Sequence, residues 1–389
     1  MQINKIFNSI GKIDKRDKFF FFLISAITIV FFFIPTGFEN SGMNDSLRYE
    51  KGLVESIDNS DLHQISIVTI GTQKVKIRIL SGKFKGQEVD ADNVLLGQKK
   101  LDKIFKVGDK VLTILQLNDA KTKCIGARAA DFYRQGTELF LFMAFALFLI
   151  FFAKFIGLKA VISFIFTAVV FWKLLIPGFL KGYNPLVLSI LIVFICSIAI
   201  ILLVGGVNKK GFVALFGTMT GISITALLAT VFGYYFKIPG AVQEYSEALL
   251  YTGFVDLDLS NIFISVIFIS AAGAVMDVSM DISTAQSEII NRVPNLSRTE
   301  LIKSGFRIAR PVLGSMTTTL LFAYSGSFMF AFMAFMAKGT NIESIVNKNY
   351  IAAEILHTLV GSFGLILVAP VTAIIGGYIY KWNKNAIEI

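Results

Sequence analysis

The sequence predicts an α-helical multi-pass membrane protein of about eight transmembrane helices, carrying one small all-β barrel outside the bilayer. Three observations predict it. Of the 389 residues, 54% are hydrophobic and 38 are Phe, and several apolar runs exceed the roughly 18 residues that suffice to cross a bilayer. Lys and Arg gather in alternate short loops between those runs, as topology by positive charge requires. One polar stretch, residues 38–134, alternates with period two instead of 3.6.

In chain order, residues 1–37 form a cytoplasmic N-terminus and first span. Lys5, Lys12, Lys15, Arg16 and Lys18 precede the apolar run from Phe19 to Ile34, and a positive flank stays cytoplasmic. The run ends in Pro35-Thr-Gly-Phe without a small-x-small site, which favours an uncleaved anchor over a cleaved signal peptide.

Residues 38–134 read as strands. In Lys74-Val-Lys-Ile-Arg-Ile-Leu80, Val75, Ile77 and Ile79 share one side, and Lys110 to Leu117 supplies another strand. Turn signals at Ser81-Gly82, Lys85-Gly86 and Gly108-Asp109 punctuate them. About five strands in so short a domain suggest a barrel resembling an OB-fold, a type that often binds oligonucleotides or sugars. No aromatic stacking platform is evident here, so its ligand is unreadable.

Residues 135–178 form a hairpin of spans, Leu139 to Ala153 and Leu158 to Leu175. A core of residues 179–389 follows, with spans Leu186 to Val204, Phe212 to Phe236, Ser260 to Glu288, Val312 to Ala337 and Ile351 to Tyr380. Lys154, Lys159, Lys209, Lys210, Arg292, Arg298, Lys303, Arg307, Arg310, Lys381 and Lys384 mark one side, which places both termini in the cytoplasm and the barrel outside. Between the sixth and seventh spans, Pro294 ends one helix and Ser297-Arg-Thr-Glu300 has the form of a capping box. The connector 289–305 is expected to lie as an amphipathic helix at the interface.

The net charge of +10 sits in these loops, so it is topogenic and implies no nucleic acid. Two cysteines, Cys124 and Cys196, fall in different kinds of segment, and the two histidines, His63 and His357, fall in different compartments. No disulfide, zinc cluster or cofactor is expected. No Ser-His-Asp, HExxH or phosphate loop appears either, so an enzyme is not expected.

The chemistry concentrates in Gly273-Ala-Val-Met-Asp277-Val-Ser-Met-Asp281-Ile-Ser-Thr-Ala-Gln-Ser-Glu288. Asp277 and Asp281 share a helical stripe that Thr284 and Glu288 continue. A central Asp costs on the order of 3 kcal/mol to insert, so such groups usually face the bundle interior and often mark ion or proton paths. Alternatively, Asp281 and Glu288 lie in water and Asp277 pairs with a neighbouring helix. Arg310, or a hydroxyl among Ser315, Thr317, Thr318 and Thr319, is expected to approach Asp277, although each hydroxyl has the competing option of its own helix backbone. Glu354 and His357, three apart, share a face of the last span and make a second proton-carrying candidate, against the option of one neutral imidazole holding a carbonyl. Gly217 and Gly221 form a small-xxx-small pair for close helix approach, with the acid-bearing helix as a candidate partner, and Gly273 is grouped with them as a packing position.

At Gly273-Ala-Val-Met-Asp-Val-Ser-Met-Asp-Ile282, at Ser81-Gly-Lys-Phe-Lys-Gly86 and along nearly the whole chain, the sequence resembles the YibE/F family of bacterial membrane proteins. That resemblance implies an architecture and a bacterial cell membrane, but no particular chemistry. Gly273-x-x-x-Asp277 with Glu288, the segment Ser304-Gly-Phe-Arg307 and Thr317-Thr-Thr319 are also similar to SecD/SecF and RND permeases. This second likeness implies a proton-responsive acid at Asp277 within an RND/SecF-like core. The extra hairpin, the small external domain and the second acid at Asp281 depart from it. The expectation is a proton-motive-force-coupled transporter or conformational machine whose partners are the bilayer, protons or another small ion, and an extracytoplasmic substrate or protein. A second copy or a related membrane protein is a candidate neighbour. The competing expectation is a non-transporting envelope scaffold that anchors the barrel.

Overall fold

A computed structural model describes residues 15–39, 46–118, 120 and 122–381; the expected charges Lys5, Lys12 and Lys384 lie outside them. The chain divides into two compact units, Glu39–Phe148 and the remainder.

In the first unit, β1 (Leu47–Ile65), β2 (Val68–Ile79), β3 (Glu88–Leu96), β4 (Lys110–Leu117) and β5 (Cys124–Phe132) close into a barrel in the order β1-β2-β3-β5-β4. Period two works as expected: Val75, Ile77 and Ile79 are buried while Lys74, Lys76 and Arg78 point out. They meet Val54, Phe105, Val111 and Leu115 in one apolar core. A buried amide, Gln73, ties the loop before β4 into this core. It donates to the Phe105 carbonyl at 2.9 Å and accepts from the Phe105 N–H at 3.0 Å and the Asn93 amide at 3.0 Å, satisfying a polar side chain that would otherwise be costly to bury.

Asp131 at the end of β5 gathers Lys103 at 3.0 Å, Arg134 at 2.8 Å and the Phe132 N–H at 2.7 Å. Partial burial pushes its carboxyl up, but the bonds from Lys103, Phe132 and Arg134 outweigh this and hold it below the ordinary value of 3.8. A carboxyl depressed by folding contributes stability above its unfolded pKa, and that stability is lost as pH falls through the folded value. Asp131→Asn is therefore expected to speed hydrogen exchange of barrel amides at pH 7, and the gap between the two proteins, after correction for intrinsic rates, to narrow as the pH falls below 3.8. A gap that keeps the same size would refute this account.

The second unit is helical: α1 (Lys15–Phe33), α2 (Gln135–Val170), a π turn (Phe171–Leu175), α3 (Ile176–Leu180), α4 (Pro185–Gly205), α5 (Lys209–Phe236), α6 (Ser246–Tyr251), α7 (Leu259–Arg292), α8 (Arg298–Ser325), α9 (Met329–Ala337), α10 (Ile342–Val346) and α11 (Asn349–Tyr380); α2 begins in the first unit. Among the described residues, 5 helices are long and apolar enough to cross a membrane, or 6 if the pair α8 and α9, bent by 65°, counts as one span. The expected count of about eight differs for two reasons. Helix α1 opens with Lys15, Arg16, Asp17 and Lys18, which leaves an apolar run short of the roughly 18 residues needed. The expected hairpin halves join in one continuous element from Gln135 to Leu180.

That element nevertheless breaks at Lys154, whose φ of 52° and ψ of −123° are not helical. A β-carbon on Gly157 would lie 2.3 Å from the Leu149 carbonyl oxygen, whereas eight residues of unbroken helix span about 12 Å. The chain thus folds back on itself there. Beyond the break, Lys159 is buried and pairs with Asp17 of α1 at 2.7 Å.

The sequence also expected a separate interfacial helix over 289–305. Instead, α7 runs on to Arg292, and α8 begins at Arg298 and continues without interruption to Ser325. The capping box that opens α8 is complete: Ser297 accepts from the Glu300 N–H at 3.2 Å, and Glu300 accepts from the Ser297 N–H at 3.0 Å.

Helices α5, α7, α8 and α11 build the central core around Ile222, Phe268, Val275, Val278, Ile282, Leu365, Val368 and Ala373. Small residues permit the approach. A β-carbon on Gly217 would sit 2.1 Å from Thr372 Oγ1, and one on Gly221 would sit 2.7 Å from Val368 and 2.9 Å from Val275. The pair of glycines therefore packs mainly against α11, with α7 reaching only Gly221. Gly273, grouped with them from the sequence, meets nothing within 4 Å, so it is not a packing position within one copy.

Candidate functional site

The inward face of α7 is filled by Phe268, Val275, Val278, Ser279, Ile282, Ser283 and Gln286. Their polar members are tied to neighbours: Ser279 to Thr372 at 3.2 Å, Ser283 to the Lys210 carbonyl at 2.7 Å and Gln286 to the Ala373 carbonyl at 2.9 Å. The acids occupy the opposite face. Val266, Ser270, Gly273, Asp277, Asp281, Thr284 and Glu288 are all exposed, and a turn of 3.6 residues sets them within an arc of about 80°.

Asp277 and Asp281 thus do not face the bundle interior as expected, because apolar and hydrogen-bonded residues already fill it. Neither makes a hydrogen bond or ion pair among the described residues, and Arg310, exposed on α8, makes none either. The hydroxyls expected to reach Asp277 bond their own helix instead: Ser315 to Val312 at 3.0 Å, Thr317 to Leu313 at 2.9 Å, Thr318 to Gly314 at 3.2 Å and Thr319 to Ser315 at 3.0 Å. Such back-bonding is the ordinary fate of a helical hydroxyl. Glu288 pairs with Arg292 one turn on, at 2.7 Å. A cavity of about 760 Å³, lined among others by Thr284, Glu288, Lys209, Lys210 and Tyr380, opens at this end of the stripe.

At its other end the stripe reaches the second candidate pair. His357 of α11 is buried, with Nδ1 3.7 Å from Glu354 Oε2 and Nε2 2.5 Å from Ser270 Oγ. Ser270 also donates its hydroxyl proton to the Ile267 carbonyl at 2.9 Å, which favours Nε2 as the donor in the short bond. The ring of Tyr324, from α8, stacks on the imidazole at 4.1 Å between centroids, and its buried hydroxyl has no hydrogen-bond partner among the described residues.

Sequence reasoning named Glu354 and His357 and missed Ser270 and Tyr324. Ser270 was legible in principle, since it continues the spacing of Asp277 and Gly273 by one more turn. Tyr324 carried no local signal, because only tertiary packing brings it to His357.

No curated protein and no solved structure matches the chain. The family model described as YibE/F-like protein matches residues 141–382, and that of the YibE/F family N-terminal domain matches residues 50–126. With the helical unit and the barrel matched by the two parts of one family, the chain belongs to the YibE/F family.

Proposed function

We propose that this chain is a proton-motive-force-coupled membrane transporter or conformational machine, crossing the bilayer about eight times through an RND/SecF-like core. The eight crossings arise when α1 is admitted, the Gln135–Leu180 element is divided at Lys154, and the bent pair α8 and α9 is one span. Charge in the short loops argues for Arg292 and both termini on the cytoplasmic side and for an OB-like barrel outside, where it would meet an extracytoplasmic substrate or protein partner.

One observation carries the reading. The outward stripe of α7 is a file of groups that can hand on a proton, Glu288, Thr284, Asp281, Asp277 and Ser270, and it ends in the hydrogen bond to His357 and thence at Glu354. Carboxylate and imidazole chains inside membrane spans are the usual material of proton relays. The cavity lined by Thr284 and Glu288 opens at one end, where water could enter the file.

The test is proton uptake by the purified chain in vesicles under an imposed potential. Uptake several-fold above protein-free vesicles is expected, and uptake indistinguishable from them would sink the reading. Orientation is read in the same vesicles with Lys99→Cys, at an exposed barrel position, after Cys124 and Cys196 are replaced. An impermeant maleimide should reach it from the side opposite Ser297→Cys; labelling of both from one side would overturn the topology.

A further inference from the structure

We propose that the outward faces of α7 and α8 form an interface with a second copy of this chain, in which Asp277 and Asp281 of each copy meet Arg310 of the other. Four observations converge on it. First, Asp277 and Asp281 are exposed on a helix long and apolar enough to cross a membrane, and neither has a partner among the described residues. An unpaired carboxylate facing lipid is unstable, so something must cover it.

Second, α8 shows the complementary charge. Lys303, Arg307, Arg310, Pro311, Gly314 and Thr318 are exposed within an arc of about 100°, and Arg307 and Arg310 make no ion pair among the described residues. The outward faces of α5 and α11 differ. They carry Leu227, Val231, Leu359, Phe363 and Ile366, residues suited to lipid tails.

Third, the charges are level. Gln286 of α7 lies against α8 at Gly305, 2.7 Å from a β-carbon placed there, which fixes the relative height of the two helices. From that contact Asp281 and Arg310 each lie five residues along, about 7.5 Å, and Asp277 and Gly314 each lie nine residues along, about 13.5 Å. A face carrying acids on one helix and arginine at the same height on its neighbour is complementary to itself under a two-fold rotation about the membrane normal. A face of one sign would call for a different partner; this one calls for its own copy.

Fourth, the face leaves room for close approach. β-Carbons on Gly273 and Gly314 would meet nothing within 4 Å, and small residues are what helix interfaces in membranes use. The proposal concerns assembly and stands apart from proton movement: a pair of copies that moves no protons leaves it intact, and proton movement by a single copy neither supports nor weakens it.

The experiment is cysteine cross-linking in native membranes, with Cys124 and Cys196 first replaced. Gly273→Cys and Gly314→Cys, singly and co-expressed, are oxidised and compared with Leu227→Cys, a 63% exposed position on α5. A product of twice the chain's mass, at least tenfold over the α5 control, is expected from at least one combination. Yields equal to the control in every combination would overturn the proposal, as would a product whose mass shows a different protein. Both glycine positions have space for the new side chain, so folding does not confound this result. Charge exchange adds a second readout: Asp281→Arg or Arg310→Asp alone should cut the yield about tenfold, and co-expression of the two should restore a mixed pair. An intramolecular pair would show no rescue between copies.

Discussion

Asp277→Asn is expected to abolish potential-driven proton uptake, by at least about 100-fold, the scale on which removing a single proton-transferring side chain acts, while expression and thermal stability change little. Asp281→Asn should weaken uptake less. The two acids stand on one exposed stripe, and Asp281 is about 6 Å nearer the Arg292 end, one turn above Thr284 and its cavity. On the proposed file Asp281 stands nearer that cavity, where another group or a water could replace it. Asp277 is the last ionisable group before the stripe passes Gly273 to Ser270, and it has no substitute. Asn keeps the shape and most hydrogen bonds of Asp but carries no exchangeable acid proton, so the change separates chemistry from packing. Wild-type uptake by Asp277→Asn would leave the barrel-anchoring scaffold as the better account of the chain.

Gly217→Leu should do the opposite, destroying the fold with no direct effect on the proton groups. At that position even a β-carbon would come within 2.1 Å of Thr372 Oγ1 and 2.9 Å of its β-carbon. Thr372 cannot swing away freely, since its hydroxyl bonds the Val368 carbonyl at 2.9 Å and meets Ser279 at 3.2 Å. Overpacking a tight core costs about 1–3 kcal/mol for modest insertions, and here a whole leucine must part α5 from α11. The expected outcome is loss of most folded protein and a clear fall in the melting temperature measured in detergent. Gly273→Ala, at a glycine that meets nothing within 4 Å, should melt with the wild type. Equal melting of Gly217→Leu and wild type would show that α5 and α11 do not pack as described.

Much of this architecture is written locally. Strands β2 and β4 announce themselves because inward and outward residues alternate, and the barrel core of Val75, Ile77, Ile79 and Val111 follows from that pattern. The Ser297 to Glu300 capping box is equally local, and it starts α8 where the sequence says it should. Hydropathy is blind to what differs most. It separates Leu139 to Ala153 from Leu158 to Leu175, and the chain does turn between them, but it cannot see the single non-helical conformation at Lys154 that makes the turn. Spacing shows that Asp277, Asp281 and Glu288 share a face; it does not say which way that face turns. The answer lies in Phe268, Val275, Val278 and Ile282, which compete for the inside and win because burying them costs no desolvation of charge. Ser270 meets His357 across 87 residues of sequence, a distance no local pattern encodes.

Gly273 has one more consequence. Between Asp277 and Ser270 the stripe offers no side chain at all, a stretch of about 10 Å along the helix. No single hydrogen bond bridges it, since donor and acceptor must come within about 3 Å; two or three water molecules in line are required. If protons move along the stripe as proposed, this gap is an open circuit: conduction would need that short water wire, and the surface that covers Gly273 would decide when it forms and so guard the membrane's proton gradient against idle leakage.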